Sequence, residues 1–131
     1  VTAHRYCTRV YYADTDAGGV LYHATYLALA ERARTEALRD LDLPHETMRR
    51  VHDCIFMVRR ANLEYLRPAR LDDMLTITTT TLTETGATIT LRQVCAVAGE
   101  PAAIIEVQLA CVRASTGRAA RIPAPWRGLS L

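Results

Sequence analysis

One helical pattern set among strands restricts this chain more than any other feature. Tyr26, Ala30, Ala33, Ala37 and Leu41 recur at helical spacing, flanked by Leu29 and Leu38. That face is mostly alanine. Small side chains let a helix approach a sheet closely, which predicts a deeply packed helix from His23 or Ala24 to about Arg39 or Leu41. Glu31, Arg32, Arg34, Glu36 and Arg39 supply its polar faces. Asp42-Leu43-Pro44 closes it, and His45 to Val51 reads as a helical turn or a loop.

The rest of the sequence has the alternation and β-branched content of strands. Ala3 to Tyr12 forms the first, with Tyr6, Thr8, Val10 and Tyr12 on one face and Cys7, Arg9 and Tyr11 on the other. Asp53 to Tyr65 reads as a long strand or bent pair. Met74 to Thr83, Thr88 to Ala98 and Ala103 to Arg113 follow, separated by turns at Thr85-Gly86 and Ala98 to Pro101. Alternation gathers Ile89, Leu91, Gln93, Cys95 and Val97 on one side, and Ile105, Val107, Leu109 and Cys111 on one side of the next strand. From about residue 122 the tail, through Pro123, Pro125 and Trp126, reads as irregular. A helix followed by an antiparallel sheet predicts an α+β fold, and 131 residues suit a single domain. An open sheet has exposed edges, which predicts pairing between copies or covering of the edge.

Composition narrows the function classes. A net charge of +2 is too small an excess for a nucleic-acid protein. Every one of the 16 Lys+Arg residues is arginine. Cys7, Cys54, Cys95 and Cys111 form no close pair and lie in apolar or strand-like runs, so they are expected to be buried free thiols of a reducing compartment. No stretch approaches the roughly 18 apolar residues of a membrane span, and no basic segment leads an apolar run at the N-terminus. The expected location is the cytoplasm.

The chemistry points to the loop before the helix. Ala13 to Leu21 holds Asp14, Asp16, Gly18 and Gly19, and Tyr22 and His23 follow it. Glycines ahead of a helix let a substrate approach the backbone, and the first helical N–H groups favour negative charge. A carboxylate and a free N–H are what thioester hydrolysis needs: one to attack the acyl carbon or deprotonate water, one to polarise the carbonyl. Local sequence leaves the two aspartates equivalent. If the backbone is extended they point the same way; if it turns they take different roles, and either can simply form an Asx-turn. One nearby histidine, His23, makes no metal-ligand pattern. A serine nucleophile is not supported, since G-x-S-x-G is absent and Ser115 and Ser130 fall in a turn and the tail. His4, His45 and His52 read as surface or packing residues, and Tyr22 and Tyr26 as core or pocket wall.

The run VYYADTDAGGVLYHATYLALAERARTEAL, followed by ANLEYLRPARLDDML from Ala61 to Leu75, resembles the hotdog-fold acyl-CoA thioesterases of the 4-hydroxybenzoyl-CoA thioesterase type. Within them it is most similar to the bacterial branch associated with the Tol–Pal system. The likeness covers about Arg5 to Arg121. It implies an antiparallel sheet wrapped around one long helix, and hydrolysis of acyl-CoA without a cofactor. It makes Asp16 the catalytic carboxylate, as nucleophile or as general base, and the His23 backbone N–H the group that polarises the carbonyl. Tyr12 and Asp14 then support the loop, Gly18 and Gly19 admit the thioester, and Tyr22 and Tyr26 line the pocket. Ala13 stands where the family usually has Glu, outside the central DTD. The resemblance also implies a homodimer or homotetramer with sites at the subunit interface, the Val58 to Tyr65 region serving as wall for a neighbour. Arg59 and Arg60, with Arg67, Arg70 and Arg92, are candidates for the CoA phosphates, and an acyl carrier protein is a further candidate partner. Two alternatives share this outline: a hotdog hydratase or dehydratase, and a non-catalytic acyl-thioester or carrier-protein binding module.

Overall fold

The computed structural model describes residues 3–129 and 131. Five strands make one antiparallel sheet: β1 (His4–Arg9), β2 (Cys54–Tyr65), β3 (Met74–Glu84), β4 (Thr88–Val97) and β5 (Glu100–Arg113). Their order is β1-β3-β4-β5-β2. Two helices, α1 (Thr25–Asp40) and α2 (His45–His52), lie between β1 and β2 in sequence. The sheet packs around α1. Tyr26, Leu29, Ala30 and Ala33 share a core with Leu75, Ile77, Cys95, Ala103 and Ile105. The alanines do what their size predicts: Ala30, Ala33 and Ala37 are fully buried.

The elements depart from expectation in ways that matter. The first strand ends at Arg9, because the chain tightens into a 3-10 turn at Tyr12–Asp14. Tyr12 is therefore not on the strand's inner face but 81% exposed. The helix begins at Thr25, with Ala24 as its cap, and His23 precedes it. It ends at Asp40, which leaves Leu41 outside its apolar face and 45% exposed. Cys54, Cys95 and Cys111 are buried, but Cys7 is exposed, since β1 is an edge strand and alternation turns that residue outward. The turn before β5 is shorter than expected, and β5 starts at Glu100.

Arg34 is not part of a polar surface. It is 9% exposed, and its Nη1 donates to Gln93 Oε1 at 3.0 Å. Gln93 Nε2 in turn donates to the Ala30 carbonyl at 2.9 Å and to Thr79 Oγ1 at 3.1 Å. This chain ties the helix to β3 and β4 through buried polar groups that satisfy one another. Burial pulls the Arg34 guanidinium down from its ordinary pKa, with Glu31 opposing.

The tail is irregular in backbone but not detached. Ile122 and Trp126 are buried with Leu38, Met48, Cys54 and Cys111 in a second core. Trp126 Nε1–H donates to the Leu43 carbonyl at 3.0 Å. Ser130 lies outside the described residues. Among the described residues no helix is long and apolar enough to cross a membrane.

Candidate active site

The loop from Ala13 to Leu21 is held at both ends by backbone pairing. Thr15 bridges Leu21, and Val20 bridges Arg70. Leu21 N–H donates to the Ala69 carbonyl at 2.7 Å, and Leu71 N–H to the Gly19 carbonyl at 3.2 Å. Val10 N–H donates to the Asp73 carbonyl, and Asp72 N–H to that of Val10, each at 2.9 Å. The 61–75 run therefore clamps the 10–21 run, which gives both stretches one structural job.

The two aspartates are not equivalent here. Asp14 sits in the 3-10 turn, half-buried, and its Oδ2 accepts the Tyr11 N–H at 3.0 Å. Its carbonyl accepts the Tyr22 N–H at 2.9 Å. It closes the loop onto the segment leading to α1. Tyr12 supports the loop through its carbonyl, which accepts from Thr15 Oγ1 at 2.8 Å, rather than through its ring. Asp16 is exposed. Its Oδ1 accepts the Gly18 N–H at 2.8 Å and, at a longer 3.4 Å, the Val20 N–H. Its Oδ2 has no hydrogen-bond partner among the described residues. One oxygen thus makes the Asx-turn that ordinary loop aspartates make, and the other is free.

Gly18 and Gly19 serve different ends. A Cβ on Gly18 would stand 3.3 Å from Asp16 Oδ1, tighter than most packed contacts. Gly19 has φ +78°, a backbone that favours glycine, with open space around it.

Between this loop and α1 the backbone bonds can be followed group by group. The N–H groups of Leu21, Tyr22 and Thr25 have acceptors in Ala69, Asp14 and Tyr22. Those of His23 and Ala24 have none among the described residues. Tyr65, the last residue of β2, donates its hydroxyl to the His23 carbonyl at 2.8 Å and meets Tyr26 edge-on, centroids 5.7 Å apart. Burial pushes the Tyr26 phenol up to about 12, with Cys95 adding to it. The His23 ring is exposed and rests 4.4 Å from the Tyr22 ring, centroid to centroid.

An open hollow of about 300 Å³ is walled by Leu21, His23, Tyr26, Tyr65, Leu66, Arg67 and Pro68. Leu21 is the loop residue that lines it; Asp16, Gly18 and Gly19 do not. Arg59 and Arg60 are not brought there. Both are exposed on β2, Arg59 at a bulge, and Arg60 lines a separate polar hollow with Asn62, Thr90, Glu106 and Gln108. Among the candidate arginines, Arg67 is the one on the His23 wall.

A more enclosed cavity of about 150 Å³ lies further along α1. Phe56, Val58, Leu91, Leu109, Trp126 and Leu129 give it apolar walls, and Glu31, Arg34 and His45 one polar side. His45 was expected at the surface or in plain packing. Burial here lowers its pKa, and Arg34 lowers it further. Among the described residues no group of three or more His, Cys, Asp or Glu is placed to hold a metal ion.

A sequence profile of the thioesterase-like superfamily matches residues 10–127, which takes in the loop, its clamp and β2 to β5. The chain belongs to the thioesterase-like superfamily. It is a hotdog-fold thioesterase. "Acyl-CoA thioester hydrolase YbgC" of Escherichia coli O6:H1 is 47% identical to it over 92 residues, 70% of this chain and 68% of that protein. "Acyl-CoA thioesterase YbgC" of Haemophilus influenzae is 47% identical over 85 residues, 65% and 62% of the two. Among solved structures, a "probable thioesterase" from Bartonella henselae superposes with a TM-score of 0.88 at 33% identity, covering 92% of this chain and 99% of that one. The thioesterase fold explains why the helix is alanine-faced: the sheet must curl closely around it.

Sequence reasoning missed two residues of this thioesterase. The Val58 to Tyr65 region is expected to wall a neighbour's site, and the hydrogen bond from Tyr65 to His23 of its own chain was not foreseen. Arg34 was placed on a polar face. Gln93 was the available signal, a lone amide among Ile89, Leu91, Cys95 and Val97 that needs a buried partner.

Proposed function

We propose that this chain hydrolyses acyl-CoA thioesters to free acid and CoA, with Asp16 as the reacting carboxylate and the His23 N–H as the group that polarises the thioester carbonyl. What supports this is one untethered oxygen on exposed Asp16 and, seven residues on, a His23 N–H just ahead of α1 with no partner among the described residues. Asp14 also ties one carboxylate oxygen, to the Tyr11 N–H, but it is half-buried and its carbonyl holds Tyr22, whereas Asp16 stands exposed beside the two glycines. The YbgC relatives support acyl-CoA as the substrate class.

Two routes use this geometry. Asp16 Oδ2 attacks the acyl carbon, CoA leaves as the thiolate, and water opens the resulting anhydride. Alternatively, Asp16 takes a proton from water, the hydroxide adds to the acyl carbon, and the thiolate departs and is protonated. Both place negative charge on the carbonyl oxygen, where a fixed backbone donor stabilises it.

The site is proposed to be completed by a second copy. β2 is an outer strand with a long exposed stretch. Two copies paired antiparallel along the whole of β2 bring the Tyr65 end of one strand to the Cys54 end of the other. Each hollow then faces the neighbour's apolar cavity. A cavity of about 150 Å³ with such walls accepts a group of roughly benzene size, which suits the end of an acyl chain or an aryl group.

The test is release of free CoA from short, long and aromatic acyl-CoAs, with Asp16→Asn alongside. Asparagine keeps an oxygen for the Gly18 N–H and removes the charge, so the loop persists. Turnover is expected to fall at least about 100-fold, with circular dichroism unchanged. Wild-type turnover in the variant removes Asp16 from the chemistry. No hydrolysis of any acyl-CoA by the wild-type protein favours a binding module instead.

A further inference from the structure

We infer that Tyr65 is a positioning residue for hydrolysis, and that the carbonyl-polarising site has two backbone donors, the N–H groups of His23 and Ala24. This rests on the reading of Asp16 and His23 given above. The first observation is the hydrogen-bond account of residues 21–25. Leu21, Tyr22 and Thr25 donate within the protein, while the N–H groups of His23 and Ala24, both exposed residues, have no partner among the described residues. Orphan N–H groups at the start of a helix bond water or a ligand, so these two are open to a carbonyl oxygen.

The second observation is what fixes their direction. Thr25 N–H donates to the Tyr22 carbonyl at 2.9 Å, which folds His23 and Ala24 into a turn. Ala24 has helical dihedrals, φ −77° and ψ −22°. The two N–H groups therefore extend the first turn of α1, where N–H groups point outward along the axis. The peptide between His23 and Ala24 would still be free to rock, because its N–H is unpartnered. Tyr65 removes that freedom. Its hydroxyl donates to the His23 carbonyl at 2.8 Å, on the opposite side of the same peptide plane from the Ala24 N–H. A hydrogen bond to the carbonyl also polarises the amide and makes its N–H a better donor.

The third observation is that Tyr65 is itself held. Its ring meets the Tyr26 ring edge-on, and Tyr26 is buried in the core. The next residues, Leu66 and Arg67, both donate to the Ala102 carbonyl, at 2.9 and 3.2 Å. The rigid sheet thus reaches the catalytic backbone through a single phenol.

Tyr65→Phe keeps the ring and its packing on Tyr26, so the variant should fold with an unchanged thermal midpoint to within a few degrees. Its kcat for acyl-CoA is expected to fall about tenfold with KM unchanged. A purely structural or pocket-wall role predicts a different split, with KM or stability moving first. A second measurement reads the polarisation directly. With carbonyl-labelled acyl-CoA bound to Asp16→Asn, the infrared carbonyl stretch should lie below that of free thioester. Adding Tyr65→Phe should return it part of the way. A kcat within twofold of wild type, or a carbonyl stretch insensitive to Tyr65→Phe, overturns the inference. An inactive Asp16→Asn beside a fully active Tyr65→Phe removes the Tyr65 role alone. An active Asp16→Asn removes the underlying reading as well.

Discussion

Asp14 and Asp16 are chemically identical, and each ties one carboxylate oxygen to backbone N–H; burial and backbone setting separate them. Asp14 Oδ2 accepts the Tyr11 N–H, and its own carbonyl accepts that of Tyr22, so it is committed to the loop. Asp16 likewise commits one oxygen, but it stands exposed. The glycines beside it divide the same way, which yields a paired prediction. Gly18→Ala puts a Cβ against Asp16 Oδ1 and must displace the carboxylate by a few tenths of an ångström. It is expected to lower kcat roughly tenfold with little loss of stability. Gly19→Ala meets nothing but must hold φ near +78°, and should cost about 1–2 kcal/mol of stability, read from urea unfolding. The reverse pattern would remove the division of labour. His45 gives a pH prediction. Burial is the main cause of its lowered pKa, followed by Arg34. A histidine whose folded pKa lies below its ordinary value favours the neutral form in the native state. Its contribution is present above about 6.5 and is lost as pH falls below that value. His45→Gln should therefore flatten the loss of stability just below pH 6.5, and a slope identical to wild type would refute the assignment.

The elements were legible to the extent that each carries its own periodicity. The alanine repeat and the alternating strands mark α1 and β3 to β5 within a few residues, because burial on one face leaves a period in the sequence. The 3-10 turn at Tyr12–Asp14 carries no such mark. Tyr11 and Tyr12 look like strand residues, and only the commitment of the Asp14 carboxylate shows why the strand stops short. The tail was illegible for another reason. Its two prolines and its lack of period describe its backbone correctly, but burial of Ile122 and Trp126 depends on α2 and β5 being beside them. Trp126→Ala should accordingly cost about 3–5 kcal/mol in denaturant unfolding. A loss below 1 kcal/mol would mean the tail is not docked. The site divides along the same line. The loop and the start of the helix are local in sequence and could be read there. Tyr65 reaches His23 only through the strand order, across 42 residues, and no spacing rule reports that.

At the scale of the whole molecule the sheet has two outer strands, β1 and β2. β1 is short, and its outward residues include Arg5 and Arg9, which discourages further pairing. β2 is twelve residues long, and Met57 and Val58 on it are half exposed. That contrast makes β2 the strand we propose for pairing with a second copy. Light scattering at micromolar concentration should give a dimer or a larger assembly, and a clean monomer would contradict pairing through this strand.

The strand order also sets a sequence of events during synthesis. β2 is made well before β5, its partner within the chain, yet the two bond along nearly their whole length. Until β5 leaves the ribosome, β2 has no intramolecular neighbour on either side, and Tyr65 has no fixed place. The loop bearing Asp16 is among the first parts translated, but Tyr65, which bonds the His23 carbonyl, must wait for Ala103 to pair with it. Nascent copies on one messenger thus carry an unpaired β2 through the middle of translation. In that interval both edges of β2 are open to a neighbouring copy's strand, including the edge that β5 later takes.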